Sequence, residues 1–171
     1  DFANLVVPQT VDGRPGLTNA GNLMFRGLEG EARYRIGDDV QVLASWAYHH
    51  SQFGDYVRLF GDTPRQLRGN QQELSPDHLA GLGLIWQPAA GPFAFISSNY
   101  VGDRYLNKRN TAPAAGYATV DAGLGWRAKA WTLRVDGNNL TDRRDPASES
   151  ELGDAQYYRL PARSYWLSLS Y

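Results

Sequence analysis

The stretch Tyr165-Trp166-Leu167-Ser168-Leu169-Ser170-Tyr171 alternates without a break and puts an aromatic at the final position of the sequence. Successive side chains of a strand point to opposite faces, so Tyr165, Leu167, Leu169 and Tyr171 share one face and the two serines the other. Free termini fray in water, which makes a bare aromatic a poor ending for a soluble domain. A strand that crosses a bilayer in a barrel answers to a different constraint. Its outer face must be apolar, its inner face can be wet, and its end belongs at headgroup level. The stretch therefore reads as the closing strand of an outer-membrane β-barrel.

Composition agrees. The 171 residues suit one ordinary domain, and a net charge of -1 argues against a nucleic-acid partner or an acidic membrane surface. The absence of Cys excludes disulfides, thiolate metal sites and a cysteine nucleophile. Five Trp and ten Tyr are many for a chain with 20% charged residues. The mean hydropathy of -0.49 would suit a soluble protein, but in a barrel only alternate residues meet lipid. No apolar run approaches the ~20 residues of a transmembrane helix. The sequence begins at Asp1 without an initiator Met or signal peptide, as expected of a mature form or of a piece of something longer.

Alternation predicts eight strands, at about 2–9, 22–36, 39–53, 76–87, 93–106, 116–127, 131–142 and 157–171. Gly37-Asp38, 88–92 and 128–130 read as short turns. The segments 10–21, 54–75, 107–115 and 143–156 read as long polar loops. Short turns at one end and long loops at the other is the plan of bacterial outer-membrane barrels.

Each strand sorts its side chains by parity. Leu28, Ala32, Tyr34 and Ile36 oppose Glu29, Glu31, Arg33 and Arg35. Val40, Val42, Ala44, Trp46 and Tyr48 oppose Gln41, Ser45 and Ala47, with Leu43 an exception. Ala80, Leu82, Leu84 and Trp86 oppose Gly81 and Gly83; Val120, Ala122, Leu124 and Trp126 oppose Asp121, Gly123 and Gly125. Trp131, Leu133 and Val135 oppose Arg134, Asp136 and Asn138. Two aromatic girdles are expected: Trp86, Phe93, Trp126, Trp131 and Tyr171 near the short turns, and Tyr48, Phe53, Tyr100, Tyr105 and Tyr117 near the loops.

Several segments resemble the C-terminal part of a TonB-dependent receptor. The most specific is Val135-Asp136-Gly137-Asn138-Asn139-Leu140-Thr141-Asp142, followed by Leu160-Pro161-Ala162-Arg163-Ser164-Tyr165. The family commonly carries Asn-Leu-Thr-Asp on its penultimate strand, a Pro-Gly-Arg-like lead into the last one, and a terminal aromatic. Ala162 stands where Gly is usual and Tyr171 where Phe is commonest. Gly27-Leu28-Glu29-Gly30-Glu31, Ser75-Pro76-Asp77-His78, Tyr100-Val101-Gly102-Asp103-Arg104-Tyr105 and Asn110-Thr111 fit as well. The resemblance covers about residues 19–171. It implies a roughly 22-stranded outer-membrane barrel closed by a plug domain. Residues 1–171 would be the C-terminal portion of that barrel, with the plug and the TonB-contacting segment outside this chain.

What such a receptor implies for sites follows. The inward column Glu29, Glu31, Arg33 and Arg35, with Asp121, Arg134, Asp136 and Asn138, could hold the plug through charge-assisted hydrogen bonds; a wetted wall of self-neutralising charges is the plainer reading. In the loops, Tyr56, Arg58, Arg65, Arg68, Arg104, Tyr105, Lys108, Arg109, Arg143, Arg144, Tyr157 and Tyr158 suit an anionic iron chelate with an aromatic or carbonyl-rich shell. The same residues would also face lipopolysaccharide. His49 and His50 point to opposite faces and cannot chelate one ion together, so they and His78 are expected at structural or lipid-interface positions, and no metal or cofactor is expected. The Asn139-Leu140-Thr141 sequon reads as chance in such an envelope protein. Ser51 and Ser75 lie near His49, His50, His78, Asp55 and Asp77 in sequence, yet no nucleophile-elbow or paired-acid pattern organises them into a hydrolase. The expected partners are outer-membrane lipid and lipopolysaccharide, the protein's own plug and remaining strands, TonB indirectly, and a small iron-chelate ligand. A complete eight-stranded barrel serving as an anchor is the main alternative, its inward Glu/Arg columns filling the interior.

Overall fold

The computed structural model describes residues 6–11, 14–19, 21–61, 63–149 and 157–171. Regular structure among them is all strand: β1 (Val6–Val11), β2 (Arg14–Asn19), β3 (Leu23–Ile36), β4 (Val40–Phe53), β5 (Val57–Phe60), β6 (Thr63–Gln66), β7 (His78–Trp86), β8 (Gly91–Val101), β9 (Arg104–Tyr105), β10 (Pro113–Ala114), β11 (Tyr117–Arg127), β12 (Thr132–Asn138), β13 (Pro146–Glu149), β14 (Tyr157–Arg159) and β15 (Ser164–Ser170). A seven-stranded antiparallel meander runs β3-β4-β7-β8-β11-β12-β15, and the remaining strands form two-stranded hairpins. Three of those hairpins, β5–β6, β9–β10 and β13–β14, sit at one end of the meander. Short turns close the other end. The β3–β4 turn needs Gly37, whose φ of +63° lies in the left-handed region.

The structure corrects the sequence reading in several places. The first predicted strand does not join the wall: Val6–Val11 pairs with Arg14–Asn19 in register Val11↔Arg14, within a segment read partly as loop. Residues 2–5 of that prediction lie outside the described residues. The predicted strand 93–106 leaves the wall at Val101, 131–142 leaves it at Asn138, and 157–171 enters it only at Ser164. The two edge strands, β3 and β15, do not pair with each other. The described residues therefore form an open wall, and the complete eight-stranded barrel does not fit them.

Register carries the two-faced pattern across the whole sheet. Tyr34 lies beside Val42, Val42 beside Leu84, and Leu84 beside Ile96. Ile96 lies beside Ala122, while Leu124 neighbours Val135 and Val135 neighbours Leu167. One apolar face results, and it is bare: Leu28, Leu124 and Leu167 are 70%, 65% and 72% exposed. An apolar surface spread over seven strands far exceeds the few hundred Å² that a soluble monomer shows, so its solvent is lipid.

The opposite face is polar with a packed aromatic floor. Gly123 lies under the Phe95 ring and Gly125 under the Phe93 ring, so small residues make room for large neighbours across the strand pair. Phe93 is thus on the inner face and not in the girdle predicted for it. Phe53 and Tyr117 also leave their girdle: Phe53 is buried, and Tyr117 carries the Arg104 guanidinium at 5.0 Å.

Candidate functional site

The loop end is built on a small core. Leu23, Phe53, Tyr56 and Leu67 are buried together with Phe60 packed against them. Tyr56 N–H and Arg68 N–H both donate to Gln66 Oε1, each at 3.1 Å, and Leu67 N–H donates to the Tyr56 carbonyl at 2.8 Å. These bonds fold β5–β6 back over the wall. Tyr56 is therefore removed from the ligand-facing set: the residue is 1% exposed, and burial pushes its hydroxyl pKa up. Nearby, Gln66 Nε2 donates to Asp55 at 2.7 Å and Arg68 pairs with Asp55 at 3.2 Å. Those two partners, Gln66 first, hold the Asp55 carboxyl below its usual value.

The β9–β10 loop docks against this unit. Asn70 Nδ2 donates to the Lys108 carbonyl at 2.9 Å, and Leu74 N–H donates to the Tyr105 carbonyl at 2.8 Å. Lys108 pairs with Glu73, both side chains about one-fifth exposed, so its charge is committed to the joint. The Arg58 and Arg109 guanidiniums lie 5.8 and 5.1 Å from the Phe60 ring centroid, converging from two loops. Arg65 is exposed on β6. Arg104 is only 5% exposed; it donates through Nη2 to the Pro146 carbonyl and lies over Tyr117. It is a strut between loops, and like Tyr56 it leaves the ligand-facing set.

The third loop begins at a hub that the sequence reading took for a strand. Asn139 (φ +49°) and Asp142 (φ +49°) turn the chain through left-handed backbone. Asn139 Nδ2 donates to the Arg143 and Pro161 carbonyls, both at 2.8 Å, and its Oδ1 accepts from Arg143 N–H at 3.0 Å. Its own N–H donates to Asp121 at 2.7 Å, and Arg163 N–H donates to Asp142 at 3.0 Å. The Asn-Leu-Thr-Asp run thus staples the end of β12 to the chain leading into β15. Arg143 grips Asp145 with two 2.7 Å bonds, which hold the Asp145 carboxyl below its ordinary value. Arg144, Tyr157 and Tyr158 are exposed.

On the inner face, register aligns Glu31 with Ser45, Arg33 with Leu43 and Arg35 with Gln41, and Glu29 follows the same parity. Asp121 lies beside Ser97, Asp136 beside Gly123, and Asn138 beside Ser164. Arg134 bonds Asp136 at 2.7 Å and lies 5.0 Å from the Phe95 centroid, while Arg127 lies 5.3 Å from the Phe93 centroid. This guanidinium–phenyl pairing was missed in the sequence; the parity of Ala94 and Ile96 could have revealed it. His49 stacks on Phe25, and His78 lies against Trp46 and Tyr48. His50 Nδ1 is 3.6 Å from Asp77. Ser51 is fully buried.

An apolar outer face, a polar inner face, short turns at one end and packed loops at the other define a β-barrel wall of outer-membrane type. Residues 1–140 match the family model described as TonB dependent receptor-like, beta-barrel, and the chain belongs to that family. Its place is the outer membrane of Gram-negative bacteria. The ferrioxamine receptor of Yersinia enterocolitica is 30% identical over 151 residues, which are 84% of this chain and 20% of that protein. The ferrichrome outer membrane transporter/phage receptor of Escherichia coli (strain K12) is 27% identical over 139 residues, 75% of this chain and 17% of the relative. The solved siderophore receptor PiuA from Acinetobacter baumannii has the same fold, with a TM-score of 0.76 at 21% identity over 95% of this chain and 23% of that one. The chain spans about a fifth of the length of the curated relatives it matches.

Proposed function

We propose that residues 1–171 form the C-terminal portion of the barrel of an outer-membrane receptor that takes up a ferric siderophore or a similarly scarce ligand. The observation that carries this reading is the convergence of Arg58 and Arg109 on Phe60 at the loop end of a wall that belongs to this family. Guanidinium and aromatic faces together suit an anionic chelate with a flat, delocalised shell. Arg65, Arg68, Tyr105 and Lys108 on the same two loops, and Arg143, Arg144, Tyr157 and Tyr158 on the third, serve as secondary contacts or meet lipopolysaccharide. The inner-face charges Glu29, Glu31, Arg33, Arg35, Asp121, Arg134, Asp136 and Asn138 face the plug carried by the rest of the protein. Energy comes from TonB through that plug, and the role is capture and passage, not catalysis.

The test is radio-iron uptake in the host strain and in a strain lacking the gene, with a panel of ferric chelates and with or without a protonophore. Uptake of at least one chelate should need both the gene and the proton gradient. Equal uptake of every chelate in the two strains would reject the proposal.

A further inference from the structure

Loops that capture ligands are usually free to move independently, because few contacts tie them to each other. Here two of them share a reciprocal clasp. Gln71 N–H donates to Asn110 Oδ1 at 2.7 Å, and Asn110 Nδ2 donates to the Gln71 carbonyl at 2.9 Å, across 39 positions of sequence. An amide side chain here completes a backbone pair as another strand would. The conformation is set up for it: Asn110 sits at φ +55°, a left-handed position that Asn tolerates better than most residues. A second left-handed residue, Leu74 at φ +59°, faces the joint from the other loop and gives its N–H to the Tyr105 carbonyl. Left-handed backbone at a leucine is an outlier that persists only where the surroundings hold it.

We infer that Asn110 is a positioning residue, which locks the 54–77 and 102–116 loops into one preorganised block so that Arg58 from one and Arg109 from the other meet at Phe60 before ligand arrives. The inference rests on the proposed capture role for its purpose, but the clasp can be tested without it. A joint that is rigid before binding leaves the loops little freedom to lose when ligand arrives.

The experiment uses the full-length receptor in lipid nanodiscs and follows amide hydrogen exchange at 70–76. Asn110→Gly keeps the left-handed backbone and removes both clasp bonds. Its Leu74 amide protection should fall roughly tenfold or more, since two cross-loop bonds are lost. Thr111→Ala removes only the bond from Asn107 within the same loop and should leave Leu74 unchanged. Asn110→Asp keeps the acceptor for Gln71 N–H and should give an intermediate loss. Unchanged protection in Asn110→Gly overturns the inference, as does failure of both Asn110 variants to assemble while Thr111→Ala assembles, because Asn110 would then be a folding determinant. A ferric tricatecholate trianion and a neutral ferric trihydroxamate serve as binding probes. Wild type should prefer the trianion, and Asn110→Gly should lose that preference. If neither probe binds wild type, the capture reading fails for these ligands, while the exchange result still decides the clasp.

Discussion

Replacing Asn139 should loosen the attachment of β15 by an amount the structure lets one estimate. The side chain is 9% exposed and makes three good bonds, to the Arg143 carbonyl, the Pro161 carbonyl and Arg143 N–H. At about 1 kcal/mol net for each, Asn139→Gly should cost roughly 3 kcal/mol, because glycine keeps φ at no steric cost. Asn139→Ala loses the same bonds and adds about 1 kcal/mol for a Cβ in left-handed backbone. In the full-length receptor the readout is hydrogen exchange over 160–165, next to the Asn138↔Ser164 end of the β12–β15 ladder. Since about 1.4 kcal/mol is tenfold, protection should drop roughly a hundredfold in the glycine variant and several-fold further in the alanine variant. A drop of less than threefold in either would refute the hub. Equal drops in both would refute the backbone-strain part of the argument alone.

Three further outcomes follow from the same geometry. Gly125→Ala should destabilise the barrel by about 1–3 kcal/mol through overpacking, and more than Gly123→Ala, because besides a ring its Cβ would meet the backbone carbonyl of Leu133, where that at Gly123 would meet the side-chain carboxylate of Asp136; comparing their thermal midpoints checks the order. The Asp145 carboxyl is held below its ordinary value chiefly by its hydrogen bonds from Arg143. The linked stability is therefore present above the ordinary Asp range and lost as pH falls through the depressed folded value. Exchange at 143–146 should accelerate only in that acid window, and Asp145→Asn should abolish the step. Arg134→Glu breaks the pair with Asp136 and puts like charges together on the inner face. Plug protease resistance and uptake in the full-length protein should both fall; if neither changes, Arg134 does not serve the plug.

The faces of the wall were legible because parity is local: whichever strands neighbour one another, Leu124 and Asp121 must point opposite ways. Partner choice was not legible from parity. Val6–Val11 falls in a run read as a wall strand, yet it pairs with Arg14–Asn19, and the sequence signal for that pairing is the Asp12-Gly13 dipeptide between them. The loop candidates divide for a related reason. Residue type marks Tyr56 and Tyr158 alike as ligand chemistry, but Tyr56 has Leu23, Phe53 and Leu67 to bury against, and Tyr158 is 63% exposed. Arg104 and Arg58 likewise look equivalent until Pro146 and Tyr117 claim the first.

These sortings bear on how the loop end and the wall divide their work. Several loop cations that the sequence offers are committed in the fold: Lys108 to Glu73, Arg143 to Asp145, Arg68 to Asp55. The most exposed of these, Arg68–Asp55, adds little stability, so its weight lies in orientation. Each pair removes a cation from general attraction and fixes a loop segment. The guanidiniums of Arg58 and Arg109 meet at Phe60 from separate loops that neutral amide contacts join. Charge held in this way is set by position and not only by amount.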